Sequence, residues 1–294
     1  MTAITTSNST KVNASHARCR LMRPVCPIFA QWTTPKKAAR LPPMKWRIGS
    51  VPHLNARPLI YGIQQEVALC APARLADELY RHGFDLGLAP VAEVLRHDQY
   101  DVINGIAVTS HGAVRSVFLL HRAPLDKIST VALDPASRSS SLLLRVLLEQ
   151  RYGLKPEFVL RTRGDSPTDY EAALVFGDEA ISYAAAHRQT GLDLGAAWTE
   201  WTGLPFVYAV WAVQRGIANG ELSAMLHRAK TDGLTHLEEV IQNSPEGTPE
   251  LRRDYLTKHI RYDLGDAEKA GLKRFQQCLC ELKLAQPHEL RFVD

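Results

Sequence analysis

"FDLGLAPVAE" (residues 84–93) and "YEAALVFGDE" (residues 170–179) follow one pattern: an aromatic residue, an acid, a run of small or apolar residues, then a turn and a Glu. A short apolar run that stops at Pro or Gly and opens into a helical pattern reads as a buried strand feeding a loop and a helix. Two such corners in one chain point to two similar α/β lobes. Open α/β sheets bind ligands outside the carboxyl ends of their strands, so the expected site is a cleft between the lobes.

The same pattern continues on either side of the two corners. Before the first, "WRIGSV" (46–51) and "VALCAPA" (67–73) read as strands, and "HLNARPLIYGIQ" (53–64) and "ARLADELYRHG" (73–83) as helices after turns. After it, "YDVINGIAVTSHGAVRSVFLLHRA" (100–123) reads as two strands parted by a turn at His111-Gly112. A second series runs from "ISTVALD" (128–134) through a helix in "SSLLLRVLLEQRYG" (140–153), a strand in "PEFVLRT" (156–162) and the second corner to a long strand, "LPFVYAVWAVQ" (204–214). Three helices close the chain, over 221–242, 248–260 and 266–284, and are expected to return to the first lobe. The fold class is therefore α/β, a two-lobed periplasmic-binding-protein-like fold with an inter-lobe cleft. Residues 45–119 and 213–294 form lobe 1 on this reading, and 120–212 form lobe 2.

Composition narrows the function. The 294 residues are 45% hydrophobic and 22% charged, with no run near the ~20 apolar residues that a membrane helix needs, so the chain reads as soluble with no membrane partner. Of the 35 Lys and Arg, seven fall in residues 1–43, which hold no acid. The remaining 28 face 31 acids, so the body gives no case for nucleic-acid binding. The tail itself, polar and without apolar periodicity, is expected to be disordered, either a basic extension or a translated stretch ahead of a start at Met44. Five cysteines, at 19, 26, 70, 278 and 280, form neither a disulfide framework nor a zinc spacing, which suits a reducing, cytoplasmic compartment.

Polar groups at the strand ends are the candidate site. Asn55 either caps a helix or turns to a ligand. Ser116 lies on the same side of its strand as Val114, and is either bonded to backbone or turned into the cleft. Ser137, Arg138, Ser139, Ser140 and Ser141 open a helix, where unpaired N–H groups and hydroxyl donors hold an anion without a lysine. Arg138 either pairs with that anion or braces a carboxylate such as Asp134 or Asp178. Gly177 lets backbone approach closely, and Asp178 caps the next helix or accepts from a ligand hydroxyl. The chain has no GxxxxGK loop, no GxGxxG after a strand, no HExxH and no GxSxG. A site with no cofactor and no metal, for a small anionic molecule, is the expectation.

Taken in order, "RIGSVPHLNARPL", "FDLGLAPVAE", "SHGAVRSVFL", "VALDPASRSSSLLLRVLL", "ALVFGDEAI" and "DLGAAWTEWTGLPFVYAVWA" resemble successive blocks of the chorismate dehydratases of the futalosine route to menaquinone. The blocks span about 48–213 and, with a helical C-terminus, cover nearly all of the chain from Met44. The resemblance implies a type 2 periplasmic-binding-protein-like fold and a lyase that dehydrates chorismate to 3-[(1-carboxyvinyl)oxy]benzoate. It also implies substrate contacts at Asn55, Ser116, the "SRSSS" turn and the Gly177-Asp178 pair. Asn55 is carried over as the catalytic, orienting group, and the substrate's own enolpyruvyl carboxylate as the base. The chain departs from the family at His53, where an aromatic is common, and at His111 and Ala113. Two other readings share the architecture: a dihydroxynaphthoate synthase of the same pathway, and a non-catalytic solute-binding protein for a small carboxylate. The "SRSS" and "TGLPFVYAVWA" blocks weigh against the first, and the lack of a secretory signal or lipid-anchored Cys against the second.

Overall fold

A computed structural model describes residues 45–162, 164–186 and 191–294; the basic tail expected over 1–43 lies outside them. The chain begins with β1 (Ile48–Ser50), a 3-10 helix over Leu54–Ile60, β2 (Val67–Leu69), α1 (Pro72–Tyr80), β3 (Leu86–Pro90), α2 (Val91–Arg96) and β4 (Tyr100–Ser110). It continues with β5 (Val117–His121), β6 (Thr130–Leu133), α3 (Arg138–Val146), β7 (Glu157–Leu160), β8 (Ala172–Phe176), α4 (Gly177–Ala186), β9 (Leu192–Asp193) and α5 (Leu194–Thr202). Last come β10 (Phe206–Gln214), α6 (Gly220–Thr235), α7 (Leu237–Asn243), α8 (Pro249–Asp254), α9 (Asp266–Glu281) and β11 (Arg291–Val293).

Local chemistry explains several of these bounds. Pro72 opens α1, where its missing N–H costs nothing, and Leu75, Ala76 and Leu79 form the face that α1 buries. The segment expected as a helix after His53 is 3-10 and carries Pro58 inside it, a residue that interrupts an α-helical hydrogen-bond ladder. Asp193 caps α5 by accepting from the Ala196 N–H at 3.0 Å, and Gly203 ends the helix in the left-handed region.

Two sheets result, ordered β11-β4-β10-β3-β1-β2 and β7-β6-β8-β5-β9. Within each, three strands run parallel, β2-β1-β3 and β7-β6-β8, the repeat that the paired corners imply. β10 lies antiparallel between β3 and β4, and β5 lies antiparallel beside β8. The chain therefore changes sheets in 111–116 and again in 203–205, a few residues before the boundaries expected at 119/120 and 212/213. Each changeover comes at the turn that ends a strand or helix, so the whole of β5 belongs to the second sheet and the whole of β10 to the first. Trp198 of α5, fully buried, fastens the second changeover. Its indole N–H donates to the Pro205 carbonyl at 3.2 Å, and its rings meet Phe206 and Phe275 edge-on.

The C-terminal helices pack against elements of the first sheet, and α9 also meets α3. α6 packs on the 3-10 helix and α9 on β10, while β11 adds a parallel strand to β4. The α6 contact is close: a Cβ on Gly233 would stand 2.0 Å from the Pro58 carbonyl oxygen. No helix among the described residues is long and apolar enough to cross a membrane.

Candidate active site

The strand ends of both sheets converge on one cavity. Its apolar walls come from Val51, Leu88, Pro90, Val108, Val117 and Phe176. Asn55, Ser116 and Gly177 stand along it, together with the α3 start from Ser137 to Ser140, so of the candidate residues only Ser141 and Asp178 do not line it. Asp178 follows Gly177 directly and faces His53, which lines the cavity.

Asn55 is not a helix cap: His53 occupies that position, and the Asn55 amide donates instead to the Tyr255 hydroxyl at 3.0 Å. Tyr255 in turn donates to Ser116 Oγ at 2.9 Å. This tyrosine opens a π-helical turn over Tyr255–His259 after α8, and it is 2% exposed. Burial holds its phenol well above the usual value, against the opposing pull of its bonds to Ser116 and Asn55, so it stays a neutral donor. The one phenolic hydrogen fixes the direction of the chain. Asn55 spends an N–H on Tyr255, a bond that does not use its carbonyl oxygen; Ser116 accepts from Tyr255 and keeps its own O–H.

Across the cavity, Ser137 sits at the N-cap of α3 without a side-chain cap bond, so its hydroxyl is not consumed by the helix end. Ser141 is turned into the helix, donating to the Ser137 carbonyl at 2.5 Å. Ser139 Oγ accepts the Ala92 N–H at 3.1 Å, joining α3 to the start of α2. Arg138 reaches the same way. Its guanidinium donates to Glu93 at 2.8 Å and to Asp77 at 2.6 Å, so it braces acids of the first lobe rather than Asp134 or Asp178. Asp134 pairs with Arg161 instead.

Asp178 also crosses between lobes, accepting from the Leu54 N–H at 3.2 Å and facing His53 Nδ1 at 3.2 Å. Gly177, at φ +64°, donates its N–H to the Ser116 carbonyl at 2.8 Å, and a Cβ there would come within 3.0 Å of the His53 ring. At the far wall the Tyr208 hydroxyl meets Ser110 Oγ at 3.0 Å, and burial raises its pKa far above the usual value. The site thus offers hydroxyls, helix-start N–H groups and one amide oxygen. Its one guanidinium is bound to Glu93 and Asp77.

Sequence reasoning missed Tyr208 and His53 as cavity residues, and Tyr255 as the phenol that joins Asn55 to Ser116. Tyr255 stands 200 positions from Asn55 inside an ordinary helical stretch, so no local pattern marks it. The departure from the family at His53 was the one available signal. Among the described residues no group of three or more His, Cys, Asp or Glu is placed to hold a metal.

In three dimensions the fold is similar to protein AF1704 from Archaeoglobus fulgidus, at a TM-score of 0.66 and 16% identity over 81% of this chain and 98% of that one. It is also similar to the periplasmic aliphatic sulphonate binding protein SsuA from Escherichia coli, with a TM-score of 0.58, 17% identity, and coverage of 82% and 93%. In sequence the chain is 30% identical to a chorismate dehydratase from Thermus thermophilus over 256 residues, 79% of this chain and 94% of that protein. A chorismate dehydratase from Campylobacter jejuni is 24% identical over 226 residues, 76% of this chain and 88% of that protein. Residues 46–281 match the model of the menaquinone biosynthesis family, and with that match and the Thermus relative the chain belongs to this family.

Proposed function

We propose that this protein is a chorismate dehydratase, converting chorismate to 3-[(1-carboxyvinyl)oxy]benzoate and water. The observation that carries the reading is the Asn55–Tyr255–Ser116 chain facing the uncapped α3 start across an apolar slot. Chorismate is a cyclohexadiene ring, puckered at its two sp3 carbons, with two carboxylates, and the slot takes the ring while neutral donors at either end take the charges. Dehydration removes a ring C–H beside the enol ether and the neighbouring hydroxyl, and the ring becomes aromatic. Negative charge develops through the ring double bond onto the ring carboxylate. Hydroxyls and N–H groups fixed at the α3 start stabilise it without reorganising.

Asn55 positions the substrate. Its carbonyl oxygen, not used by the bond to Tyr255, accepts from the hydroxyl that leaves and holds it in register. Ser116, Ser137 and Ser140 bind carboxylate oxygens, Ser139 and Arg138 hold the two lobes around the substrate, and Gly177 and Asp178 set the wall behind His53. We assign the protein to the cytoplasm, which suits the free thiols at Cys70, Cys278 and Cys280.

Incubation of the purified protein with chorismate tests the reading, through loss of the diene absorbance and appearance of the benzoate. Binding without conversion overturns it in favour of a solute-binding role. Asn55→Ala and Asn55→Asp are expected to abolish turnover while chorismate still binds; near-wild-type kinetics in either removes the role given to Asn55.

A further inference from the structure

We propose that Asp193 is a positioning residue of this site, whose carboxylate clamps the backbone ahead of Ser116 and so aims that serine's hydroxyl, a role that rests on the chorismate dehydratase reading. Arg115, the residue before Ser116, has φ +61°, in the left-handed region that a residue with a Cβ rarely enters. Its side chain is exposed. A backbone in so sparsely populated a conformation persists only where its surroundings impose it, and such positions cluster at functional sites.

Asp193 imposes this one. It ends β9, opposite Phe118 in the pairing with β5, and its side chain reaches back past the start of β5. Oδ2 accepts the Arg115 N–H at 2.9 Å, while Oδ1 accepts the Val114 N–H at 3.1 Å and the Ala196 N–H at 3.0 Å. A carboxylate has two acceptor oxygens and no hydrogen, which is what a pair of adjacent backbone donors requires. Neighbouring elements pin the rest of the turn. The Gly112 N–H donates to Thr199 Oγ1 at 2.8 Å, and the Ser116 carbonyl accepts the Gly177 N–H at 2.8 Å.

The consequence falls on Ser116. Rotation about the Arg115 backbone carries everything after it, so the left-handed turn sets the direction in which Ser116 Oγ leaves the chain. As held, Oγ accepts from the Tyr255 hydroxyl at 2.9 Å, and Tyr255 in turn accepts from Asn55. Relaxed to negative φ, Arg115 would swing Ser116 off Tyr255 and loosen the phenol that aligns Asn55. Asp193 is not itself a lining residue of the cavity, so it acts through the backbone. Its charge, second to burial, also helps hold the Tyr208 phenol well above its usual value, and the test separates charge from geometry.

Steady-state kinetics on the full chain with chorismate, beside thermal melts, supply that test. In Asp193→Asn the amide oxygen can keep the Val114 and Ala196 bonds, while the NH2 group faces the Arg115 N–H, donor against donor. Asn caps a helix as well as Asp does, so the melting temperature is expected to stay near wild type. kcat/KM is expected to fall about 10- to 100-fold, the worth of a small misplacement of a positioned group. Arg115→Gly supplies a residue that takes positive φ freely, and in that background Asp193→Asn is expected to cost about threefold at most. Equal losses in the two backgrounds, within the roughly twofold scatter of independent effects, overturn the proposal and give the effect of Asp193 to its charge. Wild-type kcat/KM in Asp193→Asn overturns it as well. Should the Asn variant melt early, Arg115→Val leaves Asp193 intact and puts a β-branched residue where φ must be positive; it is expected to lose kcat/KM by a similar factor, and wild-type activity there overturns the proposal. No product from the unmutated protein refutes the chorismate reading itself, so the two failures are distinct.

Discussion

Asn55 precedes the first changeover between sheets and Ser116 is its last residue, and one buried phenol, Tyr255, binds both. Tyr255→Phe keeps the ring's packing and removes the hydroxyl that aligns them. The expected result is a kcat loss of about 10- to 100-fold with a smaller rise in KM, since positioning is worth several kcal/mol when it acts on the reacting atoms. A stability change near 1 kcal/mol is expected beside it, the net worth of one hydrogen bond. Kinetics and a thermal melt on the same preparation separate the two effects. Arg138 is a different case. Glu93 is wholly buried, and Arg138→Met leaves its carboxylate without the guanidinium, at a cost of about 3 kcal/mol by analogy with broken buried pairs. Denaturant melts should show this loss, and the double variant Arg138→Met, Glu93→Gln should recover much of it. The serines and Asn55 were legible because strand ends and a helix start expose them to a ligand by rule. The partners of Arg138 were not, because Asp77 and Glu93 lie on other helices that the chain brings back in space.

At the scale of elements, the 3-10 helix that carries Asn55 rests on α6 through the Gly233 contact with the Pro58 carbonyl. Alanine is the better helix former by about 1 kcal/mol, yet forcing a methyl into this contact costs about 1–3 kcal/mol and moves the backbone. Gly233→Ala is therefore expected to lower both the melting temperature and kcat. Gly220→Ala, with nothing within 4 Å, is expected to leave activity unchanged. If Gly233→Ala is as active and as stable as wild type, α6 does not set the position of Asn55. Most strands and helices were readable from apolar period and turn residues, including the turn at His111-Gly112, although the change of lobe was expected later, at 119/120. β9 and β11, of two and three residues, are too short to show a period. α5 was passed over because its residues are apolar on most sides, although the Asp193 cap and the Gly203 stop mark its ends.

For the whole molecule, acid stability turns on carboxylates bonded in the folded state. Asp85, opening β3, accepts from the Arg47 backbone N–H at 2.8 Å and its guanidinium at 2.6 Å, and the Arg47 side-chain bond holds its pKa below the usual carboxylate value. A lowered folded-state pKa means a contribution that is complete above about pH 4, the unfolded value, and is lost as the pH falls through the folded one. Melting temperature is expected to drop below about pH 4, and Asp85→Asn to flatten that part of the profile. An unchanged profile in the variant would assign the acid loss to other carboxylates.

The second sheet and its helices come from one unbroken stretch, 117–202, set into a first sheet that it divides. During synthesis, everything the second sheet needs has emerged before β10 exists. The first sheet has to wait, because β3 and β4 do not touch until β10 arrives between them and β11 follows later still. Contiguous pairings form at lower entropic cost than distant ones, so the order of assembly runs inside out relative to the order of the chain. Pulse-labelled hydrogen exchange during refolding should find the amides of β6 and β8 protected before those of β3 and β4. Simultaneous protection would instead mark the two lobes as one cooperative unit. The pairing of Asn55 with Tyr255 is thus among the last contacts to form, and the cavity is not complete until nearly all of the chain has been made.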